Sequence, residues 1–390
     1  MHILLRHALK AVLMAAAALL VGQSAHAQLK CAVPGEWAVP GRGTITPAEI
    51  LSRAAREPVV LLGEVHDNPD HHRWQLQTVA ALAALHPKMA LGFEAFPRRV
   101  QPVLDRWVAG ELSEQAFLKA VDWREVWGFD PAYYLPLFHF ARINRIPMIA
   151  LNVDDSLPRE VNARGLQAVP PEKREGITQP APAPEAYLDL LYKTYAEHPD
   201  KSRSSRKDPE FRRFVEAQLV WDRAMAQAIA ERLARDPGTM VVGIMGSGHI
   251  SNGYGVPNQL RDLRVSGIAS LLPWNADSDC RTLSPGLATA VFGLPESREH
   301  APKPRLGISV ETSPKGVRVA GVMSGSLAES SGLKVGDILL EAAGTPIKKA
   351  GEVKPIVDSV APGTWLPLKV LREAKNLEVV ARFPLDSKTD

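Results

Sequence analysis

Two histidines and two glutamates stand where an α/β protein does its chemistry. The apolar run Pro58-Val59-Val60-Leu61-Leu62 passes through Gly63 and delivers Glu64 and His66, two residues apart. A strand of that apolarity is buried on both faces, and residues two apart share one face of an extended chain. A carboxylate beside an imidazole can orient the ring, ligate a metal with it, or act as a base. The run Met240-Val241-Val242-Gly243-Ile244-Met245 repeats the pattern and leads through Gly246-Ser247-Gly248 to His249. A third run, from Lys88 to Phe93, ends in Glu94. Charge at the end of successive buried strands needs a partner there. The carboxyl ends of such strands are also where open α/β sheets bind ligands. The competing reading of Glu64 and His66 is loop fixing and capping of the helix that follows.

Other groups are judged by whether they could reach that edge. Asp67, Asp70, His71 and His72 open the next helix, where acids favour the helix dipole and a His-His pair is ordinarily solvated. His72 is nonetheless counted with the site. Tyr133 and Tyr134 begin a helix that carries His139 further on, and tyrosine is an axial ligand of ferric haem. Core or rim aromatics are the plainer account of both. Asp222 is an acid on an otherwise apolar stretch of helix; it needs either the site or an arginine such as Arg213 or Arg223. The glycine-rich stretch 246–257 lacks the spacing of a dinucleotide fingerprint or a P-loop. No Gly-x-Ser-x-Gly elbow follows a strand, which argues against a Ser-His-Asp hydrolase.

The elements that must position these groups alternate. Strands are expected at 58–64, 88–94, 146–152, 240–245 and 265–272, with an edge strand at 291–294. Helices are expected at 46–56, 69–85, 97–109, 113–120, 131–144, 186–197 and 211–234. Strand–helix alternation predicts a mainly parallel β-sheet covered by helices. The proline-dense segment 169–184 reads as a loop. Residues 296–303 read as a linker. Beyond them, short strands punctuated by glycines form a small, mostly-β domain over 304–386.

The chain has 390 residues, 45% hydrophobic and 23% charged, an ordinary globular balance for about two domains. Arg6 and Lys10, the apolar stretch 11–21 and Ala25-His26-Ala27 make 1–27 a secretory signal peptide. Cleavage removes two positive charges from a formal +3 and leaves +1. No basic stripe with interleaved aromatics is present, so nucleic acid is not expected as a partner. Lys30 before Cys31 fits a lipobox badly. In an oxidising compartment the pair Cys31 and Cys280 is expected to bridge, two separate thiols being the alternative.

The blocks taken together resemble the ChaN-like haem-binding proteins of the wider group that holds Tiki, TraB and erythromycin esterase proteins. The matching residues are Gly63-Glu64-Val65-His66-Asp67-Asn68 with His71, His72 and Gln75; Phe93-Glu94; Ile149-Ala150-Leu151-Asn152; Gln218 with Trp221-Asp222; and Gly246-x-Gly248-His249 with Gly253-x-Gly255-Val256-Pro257. The resemblance covers about 45–275 and implies an α/β domain, expected over 28–295, that binds haem for iron uptake. It implies Glu64, His66, His72, Glu94, Tyr133, Tyr134 and His249 around the cofactor, Tyr133 or Tyr134 on the iron, and a possible homodimer stacking two haems. The alternative it leaves open is a metal-dependent peptidase or esterase that uses Glu64, His66, Glu94 and His249 with a divalent ion such as Zn or Mn. Residues 304–386 resemble a bacterial PDZ domain. That implies a peptide C-terminus or protein partner held by Leu306, Gly307, Ile308, Val353 and Ile356. The location implied is periplasmic, with membrane association left open.

Overall fold

The computed structural model describes residues 31–197, 205–297 and 305–385. The signal peptide expected at 1–27 lies outside them, as does most of the linker expected at 296–303. The chain divides into two compact units, Met1–Ser297 and Arg298–Asp390. Among the described residues no helix is long and apolar enough to cross a membrane.

The first unit opens with the hairpin β1 (Trp37–Val39) and β2 (Gly43–Ile45), then α1 (Pro47–Ala54). The alternation follows: β3 (Val59–Glu64), α2 (Pro69–Leu85), β4 (Met89–Pro97), the helices α3 (Gln101–Ala109), α4 (Glu114–Ala120), α5 (Trp123–Val126) and α6 (Pro131–Ile143), then β5 (Met148–Asn152). After α7 (Ser156–Arg164), α8 (Glu185–Ala196) and the long α9 (Pro209–Arg235) come β6 (Met240–Gly246), α10 (Val256–Asp262), β7 (Ile268–Asn275) and β8 (Ala290–Leu294). The sheet order is β2-β1-β8-β7-β3-β6-β4-β5. Strands β8 through β5 run parallel, and the hairpin adds antiparallel strands at one end.

The expected edge strand at 291–294 is therefore interior, flanked by β7 and β1. Short polar strands such as Gly43-Thr44-Ile45 carry too little apolar pattern to be read from sequence. A disulfide joins Cys31 to Cys280, with Cα atoms 5.2 Å apart. It ties the N-terminal extension to the segment between β7 and β8, as the bridged reading expects.

Side-chain alternation sends the core two ways. Val60 and Leu62 face one layer with Leu91, Phe93, Trp74 of α2 and Phe138 of α6. Val59 and Leu61 face the other with Val241, Met245, Met225 and Ile229 of α9 and Leu260 of α10. Residues 59–62 have no exposed surface. Each such aliphatic side chain contributes about 1.5–3 kcal/mol when fully buried. The same parity decides the site: Glu64 falls on the α2/α6 face and Glu94, in register with Ala90 rather than Leu91, on the α9 face.

The second unit is an antiparallel sheet ordered β14-β13-β11-β10-β9. It is built from β9 (Ile308–Ser313), β10 (Gly316–Val322), α11 (Leu327–Ser330), β11 (Ile338–Ala342), β12 (Thr345–Pro346), α12 (Val353–Asp358), β13 (Trp365–Arg372) and β14 (Lys375–Arg382). The mostly-β texture read from the glycine spacing is realised here, and β9 is left as an edge.

Candidate functional site

Three central strands, β3, β6 and β4, end side by side, with Glu64 in register with Gly246. On the α2/α6 face Glu64 is 3% exposed. Its Oε1 accepts from the Tyr134 hydroxyl at 2.5 Å and meets His66 Nδ1 at 2.7 Å, while Oε2 accepts from Gln75 Nε2 at 2.9 Å. Burial alone would raise the Glu64 carboxyl, but the hydrogen bond from His66, the charge of His72 and the Tyr134 hydroxyl together hold it below its ordinary value. Burial, and then the Glu64 charge, push the Tyr134 phenol far up, so it stays a donor. Burial pulls His66 down, and the Glu64 bond with the charges of Glu94 and Glu64 more than offsets it.

The opposite face repeats the scheme with different residues. His249 Nδ1 lies 2.6 Å from Asp222 Oδ1, whose other oxygen accepts from the Tyr187 hydroxyl at 2.8 Å. His249 Nε2 is 3.3 Å from Glu94 Oε1, and Glu94 Oε2 accepts from the Gly246 amide at 2.7 Å. Burial disfavours the His249 cation, yet Glu94 and Asp222 carry the ring up to about 10. Both its nitrogens face carboxylates, so it sits as an imidazolium locked between two acids. Burial raises Asp222 despite its His249 bond, and Glu94 is lowered because His249 and the Gly246 amide outweigh its burial. Asp222 thus belongs to the site. Arg223 is engaged elsewhere, with Asp262 at 2.6 Å.

Gly246 is what lets the two halves meet. A methyl group there would stand 3.2 Å from His66 Cε1, 3.3 Å from His66 Nε2 and 3.6 Å from Glu94 Oε2. Its φ of −56° is open to any residue, so the constraint is room and not backbone conformation.

His71 and His72 are buried rather than solvated. His71 Nδ1 accepts from the Val65 amide at 2.9 Å, and its Nε2 meets Asn275 Oδ1 at 2.8 Å. The ring is thereby a neutral strut between α2 and β7, and burial lowers its pKa accordingly. His72 Nε2 meets the His66 carbonyl at 3.0 Å, its Nδ1 meets Gln75 Oε1 at 3.1 Å, and its ring stacks on Tyr133 at 5.7 Å. These two histidines hold the Glu64–His66 turn from behind.

A cavity of about 470 Å³ opens beside the strand ends. His66 and Glu94 border it, with Trp127, Phe129 and Trp221 as aromatic wall and Arg99, Asp154, Asp155 and Arg159 as charged rim. Its size falls within the usual range for small-molecule sites. Glu64 and His249 stand directly behind His66 and Glu94. Tyr133, Tyr134 and His72 are not part of this lining; Tyr134 packs against one of its walls, with its ring centroid 6.2 Å from that of Trp127. The Asp154-Asp155 pair follows β5 and obeys the same strand-end rule that marked Glu64, so it was within reach of that reasoning. Tyr187 gave no signal beyond its place on an amphipathic helix. Among the described residues no three His, Cys, Asp or Glu side chains are arranged to hold a metal ion.

In the second unit a groove of about 870 Å³ runs between β9 and α12, lined by Leu306, Gly307, Ile308, Val353 and Val357 among others. The expected Ile356 is replaced in the lining by Val357. Val357, one helical turn from Val353 at i+4, is with it a buried member of the unit's core that also lines the groove, while Ile356 is partly buried against the same core. Gly307 takes a φ of +78°, and a side chain there would collide with Ser326.

Residues 50–260 match the family model described as haem-binding uptake, Tiki superfamily, ChaN, and residues 304–381 match the PDZ domain model. A solved structure of ChaN of Campylobacter jejuni, described as showing cofacial heme binding, is similar over 66% of this chain and 95% of that one, with a TM-score of 0.51 and 17% identity. That degree of likeness carries the fold. A probable periplasmic serine endoprotease DegP-like of Hahella chejuensis is 33% identical over 76 residues, 19% of this chain. The chain spans only 16% of that relative's length. A serine endoprotease from Yersinia pestis is 30% identical over 21% of this chain and 29% of that chain, with a TM-score of 0.19.

Proposed function

Because the chain belongs to the ChaN family of haem-binding uptake proteins in the Tiki superfamily, we propose that its first unit binds haem for iron uptake in the periplasm and that its PDZ domain recruits a peptide C-terminus or protein partner. The observation that carries the haem reading is the two-sided cavity at the strand ends. Trp127, Phe129 and Trp221 offer flat apolar contact, while Arg99 and Arg159 stand at the rim beside Asp154 and Asp155. A macrocycle with an apolar plane and two carboxylates at one edge needs both kinds of wall. When bound, the group would supply the iron, and this chain's residues would orient it and exclude water. Titrating the full chain with haemin tests the reading: a saturable shift of the Soret band is expected, and no shift would sink it. A homodimer belongs to the same proposal, and sedimentation with and without haemin checks it.

The PDZ reading is supported by the unpaired edge of β9 beside an apolar groove, where an extended peptide can add a strand.

One observation favours a second reading, a metal-dependent hydrolase. His66 and Glu94 converge over Gly246, with His249 bonded to the far oxygen of Glu94. Cleavage of a peptide or ester panel dependent on added Zn or Mn, and lost in Glu94→Gln, would establish it; inertness across the panel would remove it.

A further inference from the structure

We propose that Met323 is a peroxide-reactive site and that its oxidation loosens the peptide groove of the second unit; the effect on peptide binding rests on the PDZ reading above. Among the described residues, one soft sulfur stands in the open. Both cysteines of the chain form the Cys31–Cys280 bridge, which leaves no free thiol to react first. Met89, Met148, Met225, Met240 and Met245 are 3% exposed or less and sit in the two core layers of the first unit. Met323 is 68% exposed. Met1 and Met14 lie outside the described residues. An oxidant must reach the sulfur, so burial protects five of these thioethers and exposure selects the sixth.

The place of Met323 makes its oxidation consequential. It follows β10, whose last residue Val322 pairs with Ile308 of β9. The Met323 amide donates to the Gly307 carbonyl at 2.9 Å, so the residue stands beside the turn that opens β9. It lines the same groove as Leu306, Ile308, Val353 and Val357. The opposite end of that groove is fixed by another bond, from the Ala350 amide to Thr312 Oγ1 at 2.9 Å. This holds the start of α12 against the far end of β9. A peptide that pairs with β9 and sets its carboxylate at the Leu306-Gly307-Ile308 turn therefore brings its last residues to Met323. An unbranched thioether moulds itself to such a neighbour.

Oxidation changes that contact. A hydroperoxide gives one oxygen to Sδ: the O–O bond breaks, an S–O bond forms, and sulfur loses two electrons. Hydrogen peroxide leaves as water. The sulfoxide is a polar acceptor where the thioether was apolar. Pressing it between a peptide and an apolar wall without a donor is unfavourable. Methionine sulfoxide reductases reverse the step, so the change is a switch and not a lesion.

The test begins with hydrogen peroxide added to the folded full chain, followed by digestion and mass mapping. Oxygen is expected on Met323 ahead of the five buried methionines, and on all six in urea. Peptide affinity is then read by fluorescence anisotropy, with a labelled peptide selected on the full chain from a library displaying free C-termini. Oxidised wild type should bind about tenfold more weakly, and reductase treatment should restore the affinity. Met323→Leu and Met323→Gln should each bind equally before and after peroxide, with the glutamine variant the weaker of the two. The proposal is overturned if a buried methionine reacts before Met323, if oxidised wild type binds as tightly as reduced, or if Met323→Leu loses affinity on oxidation. A library that yields no binder overturns the PDZ reading itself, and the peroxide map still decides whether Met323 is the reactive site.

Discussion

The Tyr134 hydroxyl and His66 Nδ1 meet at a single oxygen, Glu64 Oε1, at 2.5 and 2.7 Å. The phenol comes from α6 and the imidazole from the turn after β3, so this one oxygen couples a helix of one layer to the mouth of the cavity. The first consequence concerns Tyr134→Phe. It deletes one donor to a buried carboxylate without changing much volume. Loss of a hydrogen bond to a charged, buried partner costs about 1.5–3 kcal/mol. Urea unfolding of the first unit should show an unfolding free energy lower by that amount, read as a lower midpoint at an unchanged slope.

Gly246→Ala separates room from backbone conformation. Alanine accepts the φ of −56° at this position, yet its methyl would press on the His66 ring and approach Glu94. Overpacking of this kind costs about 1–3 kcal/mol. A displaced His66 should weaken haemin binding by more than the fall in thermal stability accounts for. Equal affinity in both proteins would show that the ring has space to move.

The imidazolium of His249 makes stability depend on alkaline pH. Its folded-state pKa is raised from 6.5 to about 10. The stability it contributes is fully present below 6.5 and is lost as pH rises through about 10. Asp222→Asn removes one of the two acids that raise it. The melting temperature of the variant should therefore start to fall at the same pH as that of the wild type but level off at a lower pH, with a smaller total loss. Thermal melts collected from neutral to alkaline pH check this, and parallel curves would contradict it.

Reduction of Cys31–Cys280 should act on one unit alone. The bridge closes a loop with a sequence separation of 249 residues. Native disulfides typically contribute about 2–4 kcal/mol. Calorimetry should show the transition of the first unit moving down in temperature under reductant, with the transition of the PDZ unit unmoved.

How much of this was legible in the sequence depended on which residues follow a simple period. Glu64, His66, Glu94 and His249 were visible because each closes an apolar run, and burial makes a charge there costly without a partner. The face each one takes was not visible: it follows from strand parity, and parity had no reference until Val60 and Leu62 were seen against α2 and α6. Asp222 was ambiguous because Arg223 is adjacent in sequence, although Arg223 reaches Asp262 instead. His71 and His72 looked solvated as a helix start, but their partners are backbone groups and an amide from distant elements. In the PDZ groove the choice between Ile356 and Val357 turned on a rotation of one residue about a short helix.

The sheet separates the partners of Glu64, drawn from α2 and α6, from those of Glu94, drawn from α9 through Asp222 and His249. The two charge circuits meet across Gly246 of strand β6, where the Glu94 charge reaches His66. Drift in either helical layer therefore also retunes the histidine at the cavity mouth.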